Sequence, residues 1–256
     1  MKNLIFFVFL ISFFFLNAHA VIGEGSKIEQ GLNLLKSRKD KEALLIFSEI
    51  LKEDPFNLDG LWGKAEVLRR TGNIKEAREL LNQILDRAPK HTKSLISLAY
   101  IKYKENDLTE AKRLVYNVLK DEASNKESQA LGYIILSGID TKYSANNGIL
   151  SKLRYSVKIK SYIFQAHKLA PELPEVNLAL GTFYLLAPGF LGGNLEKAIE
   201  TLEYTVKLAP DFATANARLA QAYKNKGDLE KYNFYLECAK NLDPYNELLK
   251  ELTEEK

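Results

Sequence analysis

Apolar side chains recur along this chain at steps of three and four, the spacing of one helical face, and the stripes themselves recur every 34 residues. Ala43, Ala77 and Ala111 stand 34 apart, as do Pro55 and Pro89. Behind the alanines follow Phe47, Leu81 and Val115, and then Ile50, Ile84 and Val118, so each stripe runs along one side of a helix. Twelve residues before each alanine lies a second small residue, Gly31, Ala65 or Ala99. Small side chains at two fixed points let paired helices approach closely. The proline twelve residues after the alanine cannot continue a helix and marks its end. The pattern predicts one helix-turn-helix unit, repeated.

The pattern returns near the C-terminus as Leu219-Ala220-Gln221-Ala222-Tyr223, Leu236, Ala239 and Asp243-Pro244, and before that as Leu180-Gly181-Thr182-Phe183-Tyr184, Ala198, Leu202 and Ala209-Pro210. With this period and these residues, the chain resembles the tetratricopeptide repeat family. The resemblance implies an all-α fold, a right-handed α-solenoid of about six helix-turn-helix repeats. We place the units near 24–57, 58–91, 92–125, 126–173, 174–212 and 213–246, with a capping helix at 247–256 whose Leu248, Leu249 and Leu252 share a face.

Two units are longer than the period. Between Ala123 and Pro171 the spacing is 48, so an excess of 14 falls near Thr141 to Leu153, around the turn signal Asn146-Asn147-Gly148. Between Gly181 and Ala198 the step is 17 instead of 12, which places five extra residues in Leu186 to Asn194. That insertion exposes Pro188, Phe190 and Leu191 as candidate partner contacts. The preferred expectation is that Phe190 instead folds back over an adjacent helix, with Asn194 capping the helix that starts near Leu195. The insertion also resembles the Pro-Gly and Gly-Gly loops of some secreted bacterial tetratricopeptide proteins, including relatives of the T-component associated with tripartite periplasmic transporters.

Residues 1–20 depart from the repeat. Lys2, the apolar run Leu4 to Leu16 and the small-x-small site Ala18-His19-Ala20 read as a secretory signal peptide. The run is too short for a permanent membrane span. No later stretch is apolar for long enough, so no transmembrane segment is expected in the mature chain, and the bacterial periplasm is the expected location. The net charge of +3 includes Lys2, which leaves a nearly neutral mature protein and no concentrated basic face for nucleic acid. Lys142, Tyr143, Lys152, Arg154, Tyr155, Lys158 and Lys160 gather basic residues among tyrosines, as a solvated helix face does, or a site for an acidic partner.

Catalytic chemistry finds no constellation here. His19, His91 and His167 are scattered, Cys238 is the single cysteine, and neither HExxH nor CxxC occurs. Gly189 to Gly193 lacks the Lys-Ser/Thr of a phosphate loop. No enzyme, cofactor or metal is expected.

In the resembled family, function lies on the inner face made by the first helix of each repeat. The register puts Asp59, Trp62, Glu66 and Arg69 there in the second unit, and Lys93, Ile96, Tyr100 and Tyr103 in the third. The fifth contributes Glu175, Leu178, Thr182 and Leu185, and the sixth Thr214, Ala217, Gln221 and Lys224. Some relatives hold a peptide carboxylate with Lys, Asn and Arg at such places. Trp62, Ile96, Leu178 and Ala217 stand at comparable positions here, so that clamp is not implied. Trp62, Glu66, Arg69, Lys93, Tyr100 and Tyr103 are the candidate groove residues, aromatic anchors with neighbouring charge, although aromatic residues at helical spacing also serve as core. The expected function is an interaction scaffold for a protein or peptide segment. A solute-binding accessory of an uptake system, with a cavity near Tyr143 and Phe190, is the other reading.

Overall fold

A computed structural model describes residues 27–145 and 149–254. The expected signal peptide, residues 1–20, and the expected turn Asn146-Asn147-Gly148 lie outside them. Among the described residues the chain forms thirteen α-helices and no strand: α1 (27–36), α2 (Asp40–Glu53), α3 (Leu58–Arg70), α4 (Ile74–Arg87), α5 (Thr92–Lys104), α6 (Leu108–Lys120), α7 (Lys126–Ala145), α8 (Ile149–Leu169), α9 (Pro174–Leu186), α10 (Leu195–Leu208), α11 (Ala213–Lys226), α12 (Leu229–Leu242) and α13 (Glu247–Glu254). This is the all-α, tetratricopeptide-type architecture that the period predicts. It divides into two compact units, residues through Leu35 with Lys39–Leu80, and Lys36–Arg38 with Leu81 onward.

The repeat spacing works through close approach. Ala43, Ala77, Ala111 and Ala198 are fully buried, as are Phe47, Leu81, Val115 and Leu202 four residues on. A Cβ on Gly31 would come within 2.8 Å of the Phe47 ring, and one on Gly181 within 2.7 Å of Leu202 Cγ. The small residue of the first helix thus seats the large residue of the second, in the first repeat and again in the fifth. In the sixth, Tyr232 takes the place of the alanine and donates its hydroxyl hydrogen to Leu252 O at 3.3 Å, fastening the terminal helix.

The turns repeat as well. Arg38, Gly72 and Asn106, at steps of 34, all adopt left-handed backbone, with φ of 63°, 87° and 66°. Asn57, Asp107, Asn125, Asn194 and Asp228 cap their helices, each accepting a backbone N–H three residues ahead. Asn177 and Asn216 are buried and donate to Pro171 O and Pro210 O at 2.6 and 3.0 Å, tying each proline turn to the helix after it.

The first unit packs Leu35, Ala43, Phe47, Ile50 and Val67 into one core. In the second unit each helix packs on the next, and α5, α7, α9, α11 and α13 also pack in that order as one layer. The 48-residue spacing is taken up by helix rather than by loop. The α7 helix has 20 residues against 13 in α5, and α8 has 21 against 14 in α10. Each gains seven residues, close to two whole turns, which preserves the packing face of both helices.

Candidate functional site

The candidate groove residues fall in both units and are described separately. In the first, α3 carries Trp62, Glu66 and Arg69. The Trp62 side chain is half-buried against the core around Phe47. Glu66 is buried, and both arms of Arg69 close on its carboxylate, with Nε donating to Oε2 at 3.0 Å and Nη2 to Oε1. Arg70, which the sequence reading passed over, donates from Nε to the same carboxylate at 3.2 Å, and from Nη1 to Asp40 Oδ1 at 2.9 Å and Leu35 O at 2.8 Å. Glu66 and Arg69 are therefore engaged within a network whose longest reach belongs to Arg70. The spacing Glu66 to Arg70, one helical turn, was the available signal.

In the second unit Lys93 is half-buried at the start of α5, and Tyr100 is 37% exposed. The Tyr100 and Tyr103 rings lie 6.2 Å apart. Tyr103 is held against α7, where a Cβ on Gly138 would stand 2.9 Å from its hydroxyl. Lys142 sits 4.3 Å above the ring and donates to Tyr103 O at 2.9 Å. Burial raises the Tyr103 phenol above its ordinary pKa, helped by Tyr100 and opposed by Lys104.

Lys104 donates to Glu247 at 3.1 Å. In the layer, three helices separate α5 from α13. Helices pack about 8–10 Å apart, so a flat layer would place these two at least 30 Å from each other. The salt bridge therefore requires the layer to curl, bringing the end of α5 to the start of α13. One turn along α13, Glu251 faces Arg218 of α11. Arg218 Nη1 donates to Gln221 Oε1 at 2.7 Å. Desolvation lowers its pKa, with Glu251 acting in the opposite direction. A half-buried guanidinium held by a neutral amide is suited to an incoming acceptor. The sequence register placed Ala217 and Gln221 on the inner stripe and missed Arg218 beside them.

The second insertion is a built loop. Leu191 N donates to Pro188 O at 2.9 Å, Gly193 N to the same oxygen at 3.1 Å, and Asn194 N to Tyr184 O at 2.8 Å. Asn194 caps α10 as expected. Pro188 is exposed and Leu191 half-buried. Phe190 does not fold back: it is 82% exposed, because Gly189–Leu191 forms a 3-10 turn whose hydrogen bonds aim that ring outward. Among the described residues no group of three His, Cys, Asp or Glu side chains is placed to hold a metal, and no helix is long and apolar enough to cross a membrane.

Residues 34–99 match the family model described as the tetratricopeptide repeat. The protein CTR9 homolog of Arabidopsis thaliana is 25% identical over 214 residues, covering 83% of this chain and 18% of that protein. The chain thus spans less than a fifth of that relative. Among solved structures, PilW, described as a widely conserved type IV pilus biogenesis factor, is 16% identical with a TM-score of 0.51 over 90% of this chain and 97% of its own. Human IFIT1, solved as a dimer with m7Gppp-AAAA, is 18% identical with a TM-score of 0.59 over 90% of this chain and 52% of its own. At these identities the two structures share the fold.

Proposed function

We propose that this protein is a non-catalytic, exported scaffold that binds a segment of a partner protein on the curled helix layer of its second unit. The observation that carries the reading is Arg218, a half-buried guanidinium whose hydrogen-bond partner Gln221 is neutral, on a layer that also presents the Tyr100 ring. Aromatic and arginine side chains are the groups most often responsible for binding energy at protein interfaces. The tetratricopeptide match supports the reading, since proteins built from these repeats generally bind other proteins. The signal-like residues 1–20 motivate the assignment to the periplasm. The accessory reading asked for an enclosure near Tyr143 and Phe190, but Phe190 stands in solvent and Tyr143 is 38% exposed.

A photo-crosslinking amino acid at Tyr100, introduced in intact cells, tests the proposal. A defined protein adduct is expected, and Arg218→Gln is expected to reduce it at least fivefold. Absence of any adduct, or an adduct indifferent to Arg218, would overturn the assignment.

A further inference from the structure

The second insertion rests against the lengthened helix α8. Lys160 on the lengthened α8 donates to Leu191 O in the second insertion at 3.1 Å, and a Cβ on Gly192 would contact the same ammonium. This bond fixes the Phe190 loop beside α8. Leu153, Val157, Lys160 and Phe164 follow at steps of four, three and four, so they share one face of α8. On that face Leu153, Val157 and Phe164 are 46%, 59% and 40% exposed. Phe164 rests edge-on against Phe183 and Tyr184, with ring centroids at 6.0 and 6.2 Å. The stripe is about 16 Å long and leads toward the outward-pointing Phe190.

Charge along the same helix is one-sided. The α8 segment contains Lys152, Arg154, Lys158, Lys160 and Lys168 and no Asp or Glu. Among the described residues no carboxylate lies within ion-pair distance of Arg154, Lys158 or Lys168. Asp140, which faces Lys158, is buried. Exposed apolar anchors flanked by cations, on a helix whose Ile163 and Ala166 pack into the fold, offer the two kinds of contact that an anionic lipid surface takes up.

We infer that α8 and the Phe190 loop form a docking surface for an anionic phospholipid bilayer. Leu153, Val157, Phe164 and Phe190 enter the headgroup boundary while Arg154, Lys158 and Lys168 meet lipid phosphates. Charge complementarity favours a membrane over a folded protein. Anchors carried on a helix ridge and a protruding turn need an acyl boundary that yields around them, whereas a protein would have to supply matching hollows and carboxylates together. The surface is separate from the layer that carries Tyr100 and Arg218, so a scaffold held at a membrane would keep that layer available.

The test is co-sedimentation with vesicles of phosphatidylglycerol and phosphatidylcholine at 3:7, against phosphatidylcholine alone. Both the full chain and a chain starting at Val21 are used, so that the apolar residues 1–20 do not account for binding. The shorter chain is expected to bind the anionic vesicles at least tenfold more tightly. Each cation near an anionic surface contributes roughly fivefold, so Arg154→Glu with Lys158→Glu is expected to weaken binding at least tenfold. Val157→Ser with Phe190→Ser should weaken it at least fivefold, with unchanged circular dichroism. Lys240→Glu, on α12, serves as a charge control and should have a smaller effect. Failure of the Val21 chain to bind, or equal binding by all variants, overturns the inference. So does capture of an acidic protein through these residues without vesicle binding.

Discussion

Lys104 at the end of α5 and Glu247 at the start of α13 are joined across the width of a five-helix layer, at 3.1 Å. The pair is exposed, with side-chain accessibilities of 48% and 84%, so its contribution to stability should be below about 1 kcal/mol. Its consequence is geometric. Burial is the largest single influence on the Lys104 pKa and lowers it, but the hydrogen bond to Glu247 together with the charges of Tyr100, Glu247 and Tyr103 turns the net shift upward. Glu247→Lys is expected to change Tm by less than about 3 °C. Spin labels at exposed positions of α5 and α13 should nevertheless report a longer and broader separation by pulsed dipolar spectroscopy. An unchanged distance would assign the curl to helix packing alone.

Arg70 is different because its partners are buried with it. Its side chain is 10% exposed and that of Glu66 is 9%. Replacing Arg70 by Met keeps the aliphatic stem but removes donors to Glu66, Asp40 and Leu35 O. Loss of one member of a buried ion pair costs about 3–5 kcal/mol, and Arg69 remains to hold Glu66, so about 2–3 kcal/mol is expected from chemical denaturation. Arg69→Met should cost less, because it leaves in place the bonds by which Arg70 reaches Asp40 and Leu35 O on other segments.

The difference between these arginines marks how far the sequence could be read. Period and small-residue spacing identify the helix pairs, and Gly181 facing Leu202 repeats the geometry of Gly31 facing Phe47 despite five inserted residues. Helical register alone could not separate Arg69 from Arg70, because the deciding partners Asp40 and Leu35 lie on other segments. It missed Arg218 for a related reason: Glu251, which acts on it, lies on α13, the helix packed beside α11. The left-handed turn position stayed hidden because Arg38, Gly72 and Asn106 share no residue type. Turn signals marked the place of the first insertion, between helices expected near Lys126 to Ile139 and Ile149 to Leu169; α8 has those bounds, whereas α7 runs on to Ala145.

Asp140 makes the stability of the second unit depend on pH. Its Oδ2 is buried without a hydrogen-bond partner. Desolvation raises its pKa, with Lys158 and Lys112 acting in the opposite direction, and Tyr162 lies close enough for its own phenol to feel the carboxylate. A carboxyl whose folded pKa exceeds its unfolded value binds more protons in the folded state. Its contribution to stability therefore falls as pH rises from the ordinary carboxylate range through the folded value, and stays low above it. Asp140→Asn removes the ionisation while preserving shape. The variant is expected to melt higher than the parent near neutral pH, with the gap closing as pH falls toward the ordinary carboxylate value. Parallel melting curves across that range would contradict the assignment.

Three glycines separate conformational cost from steric cost. Gly72 has φ of 87° and nothing within 4 Å of an added Cβ, so Gly72→Ala should lose stability through backbone strain alone, about 1–2 kcal/mol. Gly189 likewise has open space around it, but its backbone lies outside the left-handed region, so Gly189→Ala is expected to be neutral within about 0.5 kcal/mol. Gly193 presents the opposite problem. A Cβ there would fall 1.7 Å from Ala187 O, a backbone atom that cannot rotate away. Gly193→Ala must therefore displace the chain around Pro188, weakening the bonds from Gly193 N to Pro188 O and from Asn194 N to Tyr184 O. Thermal unfolding ranks the three, with Gly193→Ala lowest. Hydrogen exchange at the Asn194 amide supplies the local readout: it should accelerate in Gly193→Ala and remain at the parental rate in Gly72→Ala.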